Sequence, residues 1–432
     1  MPVPPSSPAP TANAKRPPAP EPAATARFTT ALDRLAPPPR LALAVSGGAD
    51  SLALLLLADA WSGLAPGRTL DILTVDHGFR PEAAAEAERV AALARRLGHG
   101  HTVLRPAAPL PRRGLEAAAR AARYALLGDW CRRAGVTALL TGHSRDDQAE
   151  TLLLRLQRGS GLDGLAAMAP ASALPGLRLL RPLLDFSRAE LTGLVEAAGW
   201  IPVADPMNED ARFARVAVRR AIATLGLDAA GLAATAARLQ RDRAAIEAAA
   251  AEIACRAFTL DAWGVASIDR RALAGAPAPF VERALGRLIR AVGGGAYPPR
   301  RERLDRLAER LASTDEIFAG ATLGGCRFLA GRERVTVLRE ARHLGPPLQL
   351  DAGASGVWDD RFAVEAGPHP ITVTALGDRS APGLPALRRV ERLVTPAVFS
   401  NGELLAVPAL EFGAPQAARL RYCAPDIFSA RG

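Results

Sequence analysis

Leu41-Ala-Leu-Ala-Val-Ser-Gly-Gly-Ala-Asp-Ser51 runs five apolar residues straight into two glycines flanked by serines. A short apolar run that ends at glycine is the pattern of a strand buried on both faces, and Asp50–Ser62 beyond it reads as a helix. Paired glycines permit a tight turn and let backbone N–H groups come close to an anion. The serine hydroxyls add donors, and a helix N-terminus adds a favourable dipole. Ser46, Gly47, Gly48, Ala49, Asp50 and Ser51 are therefore a candidate phosphate loop. It is not the G-x-x-x-x-G-K-[ST] loop, because the spacing differs and a lysine is missing. Lys15 is the only lysine in the 432 residues.

Outward from that loop, strands and helices alternate. Leu70–Val75, His101–Leu104 and Thr137–Thr141 read as strands, and Glu82–Leu97, Leu115–Arg133 and Asp146–Leu156 as helices. Strands separated by helices of this length predict βαβ units and an α/β, doubly wound parallel sheet. Ligands of such sheets sit beyond the carboxyl ends of the strands. After about residue 220 the pattern turns helical (Leu227–Ala251, Ala278–Val292, Arg300–Ser313). Later it becomes short and β-like, as at Arg334–Leu338 and Ile371–Ala375. The expected organisation is a Pro/Ala-rich disordered tail over 1–25, a catalytic domain over 26–220, a helical region over 221–343, and a small α+β domain over 344–432.

Composition narrows the class. With 49% hydrophobic residues, this is a folded globular chain. It lacks an uncharged apolar run of membrane-spanning length, and its N-terminus has no secretory signal pattern. Cys131, Cys255, Cys326 and Cys423 are widely spaced, without the C-x-x-C pairing of a zinc or iron–sulfur site, so a cytoplasmic setting fits. A net charge of +10 suits a polyanionic partner, and genome bias toward arginine is the other source of it. A homodimer stays open.

Two further segments fall at strand ends. Thr74-Val-Asp-His-Gly-Phe-Arg80 places His77 where it would border a nucleotide. Gly142-His-Ser-Arg-Asp-Asp-Gln-Ala-Glu-Thr151 leaves a strand and enters a helix. At helical spacing Asp147 and Glu150 share a face, as would His143 and Asp147, or Asp146 and Glu150. Stacked carboxylates repel one another, so a metal, a bound amine or arginines are expected beside them. Aspartates favoured by the helix dipole would explain Asp146 and Asp147, but not Glu150.

S-G-G-x-D-S after a strand resembles the PP-loop of ATP pyrophosphatases, which cleave ATP to AMP and pyrophosphate. The full run Gly142–Met168, GHSRDDQAETLLLRLQRGSGLDGLAAM, resembles the corresponding motif of the tRNA(Ile)-lysidine synthase family. So do Glu116-Ala-Ala-Ala-Arg-Ala-Ala-Arg-Tyr124, Arg181-Pro-Leu-Leu184, and Asp205-Pro-Met-Asn-Glu-Asp210 with Arg215 and Arg219. Two positions depart: Met207 stands where the family usually has Ser or Thr, and Val216 where it has Asn. Thr322-Leu-Gly-Gly-Cys326, Trp358-Asp-Asp-Arg-Phe362 and Leu376-Gly-Asp-Arg379 are similar to the C-terminal part of alphaproteobacterial members.

The resemblance implies ATP and Mg²⁺, free L-lysine, and a tRNA(Ile) with a CAU anticodon. The wobble cytidine would be adenylated and then attacked by the lysine amine. On that reading Asp50, Asp147 and Glu150 are catalytic, with Asp50 and Asp147 holding Mg²⁺ and Glu150 taking the amine's proton. The loop residues and His77 would bind ATP. Glu116, Arg120, Arg123, Arg215 and Arg219 would bind lysine or tRNA, since guanidinium suits a carboxylate. Other ATP pyrophosphatases are the neighbouring alternative: GMP synthetase, NAD synthetase or a tRNA thiolase. A non-catalytic RNA-binding module is the more distant one.

Overall fold

The computed structural model describes residues 16–78, 82–107, 115–174, 176–203, 214–295, 298–423 and 425–429, without the side chains of 115–117. Asp205–Asp210, with the Met207 departure, lies outside the described residues, as do Arg80, Lys15 and the side chain of Glu116. Two compact units result, Met1–Arg243 and Ala244–Gly432.

In the first unit the expected strands and helices form close to their predicted bounds. They are α1 (Pro22–Asp33), β1 (Arg40–Ala44), α2 (Ala49–Gly63), β2 (Thr69–Val75), α3 (Glu82–Leu97), β3 (Gly100–Leu104), α4 (Leu115–Ala134), β4 (Ala138–Thr141) and α5 (Arg145–Gln157). Then come α6 (Leu162–Leu165), β5 (Ala171–Leu174), β6 (Leu177–Leu180), α7 (Arg188–Ala197), α8 (Ala214–Thr224) and α9 (Ala229–Ala257). The sheet order is β3-β2-β1-β4-β6-β5, parallel except for β5, which turns back on β6. Period-2 alternation on β1 serves both faces: Leu41 and Leu43 meet the Leu-rich flank of α2, while Ala42 joins Leu127 and Cys131 of α4. That two-sided burial is why β1 reads as a continuous apolar run. The chain lays β2 and β3 on one side of β1, then returns to lay β4 on the other. The crevice between the carboxyl ends of β1 and β4 is thus the switch point where ligands of such sheets bind.

Two boundaries differ from the sequence expectation. Residues 22–25, assigned to the tail by composition, open α1, whose Phe28 and Leu32 are fully buried in the core. The break between units falls inside α9 rather than at 220 and 343. The stretch expected to be helical also carries a five-stranded sheet, built from Phe258–Leu260, Ala266–Asp269, Ala321–Leu323, Cys326–Phe328 and Arg334–Arg339. It packs against the helices Ala278–Gly293 and Arg301–Ala312.

The C-terminal stretch forms a five-stranded and a three-stranded sheet, but it is not separate from what precedes it. Ile427 is buried in the core of the preceding helices. Tyr422 Oη donates to the Ala291 carbonyl at 2.7 Å, and the buried Arg361 donates to the Val292 carbonyl at 3.1 Å while pairing with Asp359 at 2.6 Å. Shared buried groups bind the two halves into one unit, a link that composition does not report. Among the described residues no single helix is long and apolar enough to cross a membrane.

Candidate active site

The candidate phosphate loop is fixed by its own hydroxyls. Ser51 Oγ donates to the Gly48 carbonyl at 2.9 Å and accepts from the Ser46 N–H at 3.1 Å. Gly47 turns at φ +88°, where a side chain would be strained, and its carbonyl accepts from Val203 N–H at 2.9 Å. Gly48 is the N-cap of α2 and Asp50 lies in its first turn. Ser46 stays exposed, so its hydroxyl is open to a ligand.

Beside the loop, Gly142 directly follows β4, and here only glycine fits. A Cβ would sit 2.8 Å from the Asp50 carbonyl oxygen and 3.0 Å from its carbonyl carbon. Gly142→Ala is expected to push the first turn of α2 away from the end of β4, at a cost of about 1–3 kcal/mol. Thermal denaturation and ATP titration should show a lower Tm and weaker binding. Parental values for both would mean that the close approach is not required.

Helix α5 opens with a capping box: Asp147 Oδ2 accepts from the Ser144 N–H at 2.9 Å. Asp147 Oδ1 faces Arg188 Nη2 at 3.3 Å and Arg215 Nη1 at 4.0 Å. Glu150, one turn on and only 1% exposed, accepts from Arg219 Nε at 2.8 Å and Arg188 Nη1 at 3.3 Å. Asp50 Oδ2 lies 3.7 Å from Arg188 Nε. Three carboxylates from two helices thus converge on one guanidinium, with Arg215 and Arg219 of α8 behind them. Asp50 Oδ1 and Glu150 Oε2 are buried without a hydrogen-bond partner. Burial pushes the Asp50 carboxyl up to about 6, with Arg188 opposing and Asp147 adding to the shift.

Orphaned, anionic oxygens of this kind fit a hard cation. Among the described residues, no three acidic, His or Cys side chains form a ready-made metal cage. Mg²⁺ needs only one or two carboxylates, completing its shell with water and substrate phosphates, so Asp50 and Asp147 could hold it.

Arg188 is the residue the sequence reading missed. It follows the N-cap Ser187, whose capping box closes on Glu190. A cation at the first helical position opposes the helix dipole, and that misfit was the available signal. Asp146 adds no side-chain contact to the cluster, although Asp50 and Arg188 feel its charge. Its Oδ2 accepts from the Arg188 N–H at 2.8 Å, tying α7 to α5. His143 does not share a helical face with Asp147 either, because α5 begins only at Arg145. It hydrogen-bonds Thr141 Oγ1 at 2.9 Å, and burial lowers its pKa to about 4, so it is neutral at pH 7.

The remaining candidates lie on the sheet's carboxyl edge. Asp76 braces the turn around His77: its Oδ1 accepts from Gly78 N–H at 2.9 Å and its Oδ2 from Arg105 Nε at 3.0 Å. Burial, with Arg123 nearby, lowers the pKa of His77. Arg120 lies over the Tyr124 ring at 5.2 Å, and its charge is felt by His143. Arg123 thus lies near His77, and Arg120 near His143. Gln148 clamps the loop after α6, its amide pairing with Met168 N and O at 2.8 Å each. Val216 is buried, so apolar packing stands where an asparagine would have needed a partner.

A parallel sheet carrying a lysine-free glycine–serine phosphate loop at its switch point defines a PP-loop nucleotide-binding domain, and residues 20–225 match the family described as PP-loop domain. A tRNA(Ile)-lysidine synthase of Methylobacterium nodulans is 48% identical, over 66% of this chain and 85% of its own. That of Ruegeria pomeroyi is 38% identical over 86% of this chain and 89% of its own. The chain belongs to the tRNA(Ile)-lysidine synthase family. Among solved structures, a U34-tRNA thiolase from Methanococcus maripaludis aligns over 50% of this chain and 76% of its own, at 17% identity and a TM-score of 0.45.

Proposed function

We propose that this enzyme joins free L-lysine to C2 of the wobble cytidine in a tRNA(Ile) with a CAU anticodon, consuming ATP. The observation that carries this is the convergence of Asp50, Asp147 and Glu150 beside a phosphate loop on the switch-point crevice. In the first step the cytidine O2 attacks the α-phosphorus, the bond to the bridging oxygen breaks, and pyrophosphate leaves. A carbonyl oxygen is a weak nucleophile, so positioning and charge neutralisation carry most of the acceleration. The Ser46–Ser51 loop holds the departing phosphates with N–H groups and hydroxyls. Asp50 and Asp147 would hold Mg²⁺, which supplies neutralisation of phosphate charge.

In the second step the lysine ε-amine attacks C2, the C2–O bond to AMP breaks, and AMP leaves. Glu150 takes the proton that the amine must lose. Arg215 and Arg219 receive the lysine carboxylate, while His77 and Arg123 border the nucleotide. The neutral imidazole of His143 lines the crevice as a hydrogen-bonding group rather than as a charge. A thiolase reading has no support here. Cys131, the cysteine nearest the loop in sequence, is buried with its thiol pushed up to about 11, and it is therefore inert. Incubation with labelled lysine, ATP and purified isoleucine tRNA should yield AMP, pyrophosphate and lysine-bearing tRNA together. Label that failed to enter the tRNA would overturn this reading.

The C-terminal arginines serve tRNA docking. Arg419 and Arg421 project from one face of the strand Ala418–Tyr422, both exposed. Arg388, Arg389 and Arg392 are instead engaged with Glu391, Asp378 and the Gly377 carbonyl. Truncation near Leu344 would open the core shared with Ala291 and Val292, so charge reversal is the cleaner test. Replacing Arg419 and Arg421 with Glu should weaken tRNA binding and flatten its salt dependence, leaving ATP binding intact. An unchanged salt slope would remove these two residues from the interface.

A further inference from the structure

Arg188 carries three weak contacts and no strong one. Its guanidinium lies 3.7 Å from Asp50, 3.3 Å from Asp147 and 3.3 Å from Glu150, whereas Arg219 closes on Glu150 at 2.8 Å. The backbone of Arg188 is held firmly by Asp146 and by the Ser187 cap, so only the side chain is loosely tied. That side chain is 30% exposed, so it has room to leave. Its nitrogens face Asp50 Oδ2 and Asp147 Oδ1, two of the oxygens that would ligate a metal at about 2.1 Å. A metal at those oxygens and the guanidinium repel one another, and in a half-buried site that repulsion is little screened.

We infer that Arg188 is an exchangeable counterion: it holds the three carboxylates together until the substrate's cations displace it. This rests on the metal and lysine assignments proposed above. With the crevice free of ligand, the guanidinium offsets the repulsion among Asp50, Asp147 and Glu150. Arrival of Mg²⁺ with ATP expels it from Asp50 and Asp147, and the same movement releases Glu150. Lysine then meets a carboxylate that has lost one of its two cations. ATP and lysine binding are thereby coupled through one side chain, and the coupling acts equally in both directions.

The test compares the parent with Arg188→Gln and Arg188→Lys, reading Mg²⁺ binding without ATP by calorimetry and thermal shift. Arg188→Gln should bind Mg²⁺ about tenfold more tightly than the parent and gain Tm from Mg²⁺, whereas the parent and Arg188→Lys should respond little. In the parent, lysine should bind about tenfold more tightly with a non-hydrolysable ATP analogue and Mg²⁺ present, and Arg188→Gln should erase that difference. An Arg188→Gln protein that folds only in millimolar Mg²⁺ supports the inference. One that stays unfolded in Mg²⁺, or that matches the parent in both titrations, overturns it. Asp50→Asn separates the two ideas. If it leaves Mg²⁺-dependent ATP binding intact, the metal assignment is wrong. If it abolishes that binding while Arg188→Gln behaves as the parent, only the counterion role falls.

Discussion

Glu150→Gln is expected to stop lysine transfer while leaving adenylation of the tRNA in place. The amide has the carboxylate's shape, and its oxygen can still accept from Arg219 Nε, so α5 and α8 should stay packed together. What it cannot do is take the amine's proton. General-base removal typically costs about 10²–10⁴-fold, and the loss should fall wholly on the second half-reaction. Glu150 is suited to the role because it is only 1% exposed, with one oxygen committed to arginines and the other unpartnered. The check is a quench experiment that follows pyrophosphate release and lysine incorporation separately. Pyrophosphate should appear at near-parental rate, with adenylated tRNA accumulating. Equal loss of both half-reactions would assign Glu150 to the metal instead.

Asp50→Asn should do the reverse and abolish pyrophosphate release, because the first step needs a charged oxygen at the phosphate loop. Its effect on stability should have the opposite sign. Burial raises the Asp50 carboxyl from 3.8 to about 6, so the folded protein binds this proton more tightly than the unfolded chain does. The resulting stability is fully present below about pH 4 and is lost as pH rises through about 6. A shift of that size corresponds to about 3 kcal/mol against the folded state at neutral pH. The asparagine variant should therefore melt higher than the parent at pH 7 to 8 and show a flatter stability profile between pH 4 and 6. A catalytic group bought at the expense of stability is a common pattern in enzymes. A lower Tm at neutral pH would mean that the pairing of Asp50 with Arg188 outweighs its burial.

The first half of the fold was legible because its signals are local. Leu41–Val45, the glycine pair and Asp50–Ser62 each follow from short-range rules of burial, turn chemistry and helix capping. The same holds for Asp147 and Glu150, which one helical turn brings onto a common face. Spacing misled where the chain is not helical: His143 precedes α5 and answers to Thr141 instead. It misled again where a side chain is spent on structure, as Asp146 is on the α7 backbone. Asp205–Asp210 stays an expectation from family resemblance, since it lies outside the described residues.

What the amino-acid order determined by itself was the alternation of strands and helices, the phosphate loop and the acidic helix, all set by contacts within a few residues. Tertiary structure alone decided which cation answers those carboxylates. Arg188 stands 38 residues beyond Glu150, and no periodicity links them. They meet because β6 lies beside β4 and the chain then turns back into α7 against α2. It also decided that the chain after residue 344 is tied to the helices before it, with Ile427 buried in their core. Polar groups deprived of water must find partners, and Tyr422 and Arg361 find theirs at Ala291 and Val292, far away along the chain.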